Sequence, residues 1–503
     1  MIYTWALIQT AWVGDDAYIT FRSIENFIHG YGPIFNIGER VQTFTHPLWF
    51  LLQSLLNFIA LPFDLPFKQY QLYFINVLIS IAISSALLIL FAYKVAPSTK
   101  SAALGLIILT LSKSYLDYST SGLENPLTHL FLLLFVWHYL NDSNNIFLLS
   151  LLAGLAALNR QDTILFYIPA LGLLFLSHPQ KWLGFILGFL PLLVWELFST
   201  FYYGTPFPNT AYAKLSAHAD LPHLIREGTH YYQNSLRLDP LTVTLILAVL
   251  LLVLFSHKKR PLTIAAGIGL YLIYIFYIGG DFMSGRFFSA ALLASVVLLS
   301  QIEIRSPKSY WPIFASILLV GLLPFYLIPE RNPSYGLVRD NWKVFMDENH
   351  ISDERRIYYD RGGLIPALQG ELRKTPFAGK NWVFVKVAEV QIVGPLGVSS
   401  YQVGPNVHII DSNALADPLM ARLPLTSADE MRIGHYKHII PQGYVETLAS
   451  GQNQIKSPNL AEYYDKLSFV IKGSLWGWDR LIEIWNLNIG KYNYLIESAK
   501  NGD

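Results

Sequence analysis

Cysteine is absent from the 503 residues, which excludes disulfides and thiolate metal sites and fits either side of a membrane. Charge is scarce as well. Asp, Glu, Lys and Arg make up 14 % of the chain and balance to +1, whereas a soluble domain carries about 25 %. No basic stripe runs along any segment, so nucleic acid is not an expected partner. Internal repeats and low-complexity tracts are also missing.

Apolar sequence takes their place. The chain is 53 % hydrophobic with a mean hydropathy of +0.36. Uncharged runs such as Leu241–Phe255 and Ser101–Leu111 contrast with a polar stretch from about residue 330 to the end. This contrast predicts a polytopic α-helical membrane body over 1–329, of about 10–11 spans, and a C-terminal mixed α/β domain in water over 330–503. Thirty Tyr and twelve Trp suit either interfacial belts or stacking on sugars.

A bilayer core takes about 20 apolar helical residues. Candidate spans lie at 71–93, 101–116, 123–140, 146–158, 162–177, 182–203, 241–256, 261–279, 287–304 and 311–329. Two are short, as broken or half-spanning helices are when buried in protein. The basic loop His257-Lys258-Lys259-Arg260 belongs in the cytoplasm by the distribution of Lys and Arg. Counting from it puts Lys94, Lys100, Lys181, Arg305 and Lys308 on the same side. The opposite, extracytoplasmic face receives 15–42, 119–125, 159–162, 204–240, 279–286 and the C-terminal domain. Thr45–Phe63 is apolar enough to span, but a crossing would separate Asp15 and Asp16 from the other polar loops. A re-entrant or interfacial helix over 46–63 is therefore expected, with Pro47 in its first turn. Met1–Val13 is apolar, too short to cross and without the basic start of a signal peptide. The favoured expectation is a start that cuts into a first transmembrane helix, the other a helix crossing part of the bilayer. In the polar part, alternation over Trp382–Val393 and the run Asn406–Ile410 predict strands, with turns at Gly394-Pro395 and Gly404-Pro405.

Gly14-Asp15-Asp16-Ala17-Tyr18-Ile19-Thr20-Phe21-Arg22 is the most informative stretch. Acids at the mouth of a membrane helix are costly to bury and are candidates for function. Two adjacent carboxylates also push one pKa upward, which suits a general base. The plainer reading is an acidic pair capping the next helix.

The blocks that follow resemble a known family. They are Asn36–Gln42, Thr45–Trp49, Ser121–Asn125, Asn159–Asp162, Pro206–Lys214 and Gly279–Phe287. Others lie at His408–Asp411, Ala416–Leu423 and Gly434–Tyr436. In this order, over nearly the full length, they resemble the GT-C glycosyltransferases, most closely the AftB-type terminal arabinofuranosyltransferases of actinobacterial cell walls. The resemblance implies transfer of a sugar, arabinofuranose in the best-known members, from a polyprenyl-phosphate donor to a cell-envelope glycan. It implies a bacterial inner-membrane enzyme with its site on the extracytoplasmic side. It implies a catalytic carboxylate in the first extracytoplasmic loop, Asp15 or Asp16 by position. A divalent cation on these two acids is an open part of the family pattern. The short N-terminus departs from that pattern and puts the placement of Asp15 and Asp16 in question.

On that reading Arg22, Arg160, Lys214 and Arg286 are candidates to meet the leaving phosphate, Arg gripping it bidentately. His46, Glu124, Asp162, Asn209, Asp281, Asp411 and His435 are candidates for sugar or acceptor contacts, and Asp417, Arg422 and Arg432 stand near the last two. Plainer roles stand beside these. Arg160 with Asp162, and Arg286 with Asp281, suit structural ion pairs. His46 suits a helix-cap hydrogen bond, and Lys214 a solvated loop. The rival function is a non-enzymatic glycolipid transporter or envelope assembly factor; the missing two-fold repeat speaks against it.

Overall fold

The computed structural model describes the chain apart from residues 1, 64–69, 142–144, 216–219, 257, 303–306, 328–345, 371–382, 388, 395, 426–431 and 501–503. His257, Arg305, Trp382 and Pro395 of the expectations above thus lie outside the described residues. What is described is mostly helix.

Helices stand at each of the ten predicted spans, but most are interrupted or short. Only Gln71–Val95 and Lys259–Tyr277 are, among the described residues, long and apolar enough to cross a bilayer alone. Two further pairs qualify when joined, Pro179–Gly188 with Leu190–Tyr203 and Leu221–Leu238 with Pro240–Leu254. The second pair turns through 110°. Its cause is Asp239, buried at the break, which accepts from the Ser114 amide (2.7 Å) and the hydroxyls of Ser112 (3.1 Å) and Thr242 (2.6 Å). Ser112 in turn caps Lys113–Tyr118, splitting the predicted span 101–116.

The Gln71–Leu90 helix shows why this is a membrane protein. Alongside Leu72, Val77 and Leu87 it buries Asn76, Ser80 and Ser84, while Leu78 and Ile89 are exposed, so its outer face is apolar where a helix on a soluble core is polar. Asn76 donates to the Gly122 carbonyl (3.0 Å) and Ser84 to that of Ser119 (3.1 Å). In hydrocarbon such groups must be satisfied within the protein. Small residues let helices close on each other: a Cβ at Gly188 would overlap the Ser150 backbone and side chain.

The chain forms two compact units, neither continuous in sequence. The first comprises 1–14, 66–192 and 220–374, the second 15–65, 193–219 and 375–503. This differs from a division at residue 330. The second unit gathers the Asp15–Ile28 and Pro47–Ala60 helices around the C-terminal residues. Pro47 lies in the first turn of Pro47–Ala60, as expected, and the helix leaves Leu51, Leu55, Phe58 and Ile59 exposed. Its sheet has three strands, β1 (Val383–Val387), β2 (Val390–Val393) and β3 (His408–Asp411). β1 pairs antiparallel with β2, and β2 parallel with β3, Val390 facing His408 and Val393 facing Asp411. The parallel pair is joined through the short helix Gly397–Gln402. Ile410, Leu419, Tyr444, Leu460 and Leu467 belong to the core of this unit.

Candidate functional site

In the second unit, the two acids of the opening motif have different environments. Asp15 is 8 % exposed. Its carboxylate accepts from the amides of Gly397 (2.9 Å) and Val398 (2.8 Å), the first residues of Gly397–Gln402. A carboxylate there satisfies amides that the helix leaves orphaned and complements its dipole. Burial pushes the Asp15 carboxyl up from its usual value, against the lowering effect of the two amides. Asp16, the next residue, is half-buried. Both Asp15 oxygens are occupied by amides, and among the described residues no three His, Asp or Glu side chains form a metal-holding group.

Arg22 completes the same clamp. Two turns beyond Asp15, it donates from Nε to Phe35 (2.9 Å) and from Nη2 to Val407 (2.7 Å). Its Nη1 donates to Gly404 (3.0 Å) and to Ser400. The Asp15–Ile28 helix therefore holds the 397–407 segment by an anion at its start and a cation at its end. With four donated bonds to carbonyls, Arg22 is built into the fold and is not positioned as a phosphate ligand. Gly397 is required by the close approach, because a Cβ there would overlap the Asp15 carbonyl. Gly397→Ala should destabilise the protein on the order of 3 kcal/mol through overpacking and loss of the two amide bonds. A melting midpoint in detergent equal to wild type would contradict this.

Other predicted residues of this unit also hold backbone. Asn209 donates to the carbonyls of Ala414 (2.9 Å), Leu415 (3.1 Å) and Asp417 (3.1 Å). His46 caps no amide, and its Nε2 pairs with the Thr20 hydroxyl at 2.8 Å. Asp411 accepts from the amides of Asn413 (2.9 Å) and Ala416 (2.8 Å) and is pushed up to about 6 by burial. Asp417 accepts from Leu419 (3.0 Å), Met420 (2.8 Å) and the Tyr444 hydroxyl. Arg422 lies over the Tyr212 ring at 4.7 Å. Lys214 is exposed. Burial, then the positive charges of Arg432 and Lys214, push His435 down to about 3.

Burial pushes Asp417 up to about 7, from near 4 in an unfolded chain. The folded state thus holds this proton more tightly, so the group costs nothing below pH 4 and its penalty grows until about pH 7. The melting midpoint of Asp417→Asn relative to wild type should therefore rise between pH 5 and 8, by roughly 2 kcal/mol in stability. A pH-independent difference would show that Asp417 titrates as in the unfolded chain.

The first unit holds a second cluster. Glu124, 1 % exposed, uses one oxygen, Oε1, to accept from Arg160 (2.7 Å) and Arg286 (3.1 Å). Arg160 also forms a bidentate pair with Asp162, at 2.7 and 2.9 Å, and lies 4.8 Å over the Phe287 ring. Arg286 reaches Asp281 at 3.6 Å. Asn159, at the end of the Ile146–Asn159 helix, bonds the Glu124 carbonyl and the Thr128 hydroxyl. Five residues from three distant motifs thus meet here, three acids with two guanidiniums. The ion-pair arrangement of Arg160 with Asp162 is present, and it occupies much of that guanidinium.

Two residues escaped sequence reasoning. Glu39 is buried, with the Lys472 ammonium at 3.0 Å and His408 Nε2 at 3.8 Å; it stands within a quoted motif, but no local signal marks its partners. Gly397 carries no signal at all until the fold brings it to Asp15.

No family model matches this chain, and no solved structure does. It is 25 % identical to a terminal β-(1→2)-arabinofuranosyltransferase of Mycobacterium tuberculosis, over 88 % of this chain and 83 % of that protein. A protein of the same description from Corynebacterium glutamicum is also 25 % identical, over 86 % of this chain and 74 % of its own length. The resemblance to terminal arabinofuranosyltransferases thus runs along most of the chain.

Proposed function

We propose that this protein is a membrane glycosyltransferase that moves arabinofuranose from a polyprenyl-phosphate donor to a glycan of the bacterial cell envelope. The catalytic site and the C-terminal residues face the extracytoplasmic side of the inner membrane, and the ten or so helical segments of 1–329 form the embedded body. The observation that carries this reading is the near-full-length similarity to two arabinofuranosyltransferases, joined to helices that bury polar residues and expose apolar ones. The transporter or assembly-factor reading has no observation in its favour.

Asp16 is the general base. It takes the proton of the acceptor hydroxyl as that oxygen attacks the anomeric carbon. The bond from this carbon to the phosphate oxygen breaks, and the polyprenyl phosphate leaves with the electron pair. Asp15 is a positioning residue, because its oxygens are already used by the amides of Gly397 and Val398. Lys214 and Arg432 are assigned to the leaving phosphate as basic residues of the same unit as Asp16. Such fixed cations stabilise charge that develops in the transition state. In the first unit, Glu124, Asp162 and Asp281 hold Arg160 and Arg286 in place.

The direct test is incubation of membranes containing the protein with radiolabelled polyprenyl-phospho-arabinofuranose and an arabinan acceptor. Labelled terminal arabinofuranose is the expected product. Membranes that bind the donor without forming product would overturn the assignment.

A further inference from the structure

The second unit carries an unpartnered aromatic stripe among its described residues. Along the helix Trp478–Asn488, Trp478, Ile482 and Trp485, with Ile489 just beyond, follow at spacings of four, three and four, so all lie on one face. All four are exposed, Trp478 at 80 %, and Trp476 before the helix is 82 % exposed. The other face is anchored: Arg480, Ile484 and Asn486 are buried.

The anchor point is the end of an apolar helix. Arg480 donates from Nη1 to Phe201 (2.7 Å) and from Nη2 to Tyr202 (2.9 Å), in the last turn of Leu190–Tyr203. Asn488 donates to the next carbonyl but one, Gly204 (2.8 Å), and the Trp476 ring lies 5.1 Å from that of Phe201. Leu190–Tyr203 itself exposes Leu193, Val194, Leu197 and Phe198, an apolar face of the kind that lipid covers, and it forms an apolar pair long enough to cross a bilayer when joined to Pro179–Gly188. The tryptophans therefore stand at the level where a lipid-facing helix ends. Trp concentrates at that depth of a bilayer, its ring among acyl chains and its N–H among headgroups, and amphipathic helices with such a face lie in the interface plane.

We propose that Trp478–Asn488, with Trp476, is an interfacial anchor that seats the second unit on the bilayer surface. The occupant of the stripe is lipid, argued from its continuity with the apolar face of Leu190–Tyr203. The inference rests on the chain being membrane-embedded and needs neither donor nor acceptor, so its test is independent of sugar transfer. Because the chain has no cysteine, Ile482→Cys provides a single site for a nitroxide spin label in the full-length protein. In vesicles of phosphatidylcholine and phosphatidylglycerol, the label should be more accessible to oxygen than to a water-soluble nickel chelate, at a depth of about 5–10 Å. Ile489→Cys should report the same, and Gln452→Cys, an exposed position, provides the aqueous reference. A label at 482 and 489 as open to nickel as that at 452 would overturn the proposal. So would protection from both reagents, which would mean a protein partner or a second copy on the stripe.

Discussion

Asp16→Asn should lower transfer of arabinofuranose by about 10²–10⁴-fold, the range attributable to a general base, while leaving donor binding near wild type. The amide keeps the shape of the carboxylate and cannot take the acceptor's proton. Asp15→Asn should fail differently. Its amide can accept from one of the Gly397 and Val398 amides but presents an NH2 to the other, leaving a buried donor without a partner. That costs about 1–3 kcal/mol, so the melting midpoint falls and activity follows it. Measuring both kcat and unfolding in each variant separates the two acids. Should Asp15→Asn lose transfer with unchanged stability, and Asp16→Asn retain it, the roles assigned here would be reversed.

The second large effect is expected at Glu124. Its Oε1 serves two guanidiniums, those of Arg160 and Arg286, in surroundings that leave it 1 % exposed. Truncation to alanine leaves both cations short of a partner, and breaking such a buried network costs about 3–5 kcal/mol. Glu124→Ala should therefore be poorly folded in membranes, and Glu124→Gln, which keeps a hydrogen-bonding oxygen, should lose clearly less. Equal melting midpoints for the alanine variant and wild type would show that the cluster has no structural weight. A double variant with Arg160→Ala should lose less than the sum of its parts, because the two residues share one interaction.

How far the sequence reveals this molecule depends on the range of the forces involved. Apolar runs announce helices, and each of the ten predicted segments contains one, because hydrophobicity is a local property of the chain. Their interruptions are less visible. The bend at Asp239 depends on hydroxyl and amide donors near residue 112, which no window over 239 contains. The strands at Val390–Val393 and His408–Asp411 were marked by alternation and by the glycine–proline turns around them. Composition also separates the polar residues after 330 from the rest, yet the compact unit around them takes in 15–65 and 193–219, since packing partners leave no trace in composition. At the site, the motif marks Asp15, Asp16 and Arg22 together as charged and unusual. Their division of labour is set by backbone amides and carbonyls at 397–407. Backbone groups look alike at every position, so no sequence pattern distinguishes the ones that will be recruited.

The bonds from Gly397 and Val398 to Asp15 span 382 and 383 residues. At about 5–20 residues per second of synthesis, the ribosome makes the amides that hold Asp15 roughly 20–80 s after Asp15 itself. Through that interval the acidic segment around Asp15 exists while its clamp does not. The Asp15 clamp therefore forms late in biogenesis, and a nascent chain stalled before residue 397 carries Asp15 and Asp16 without it.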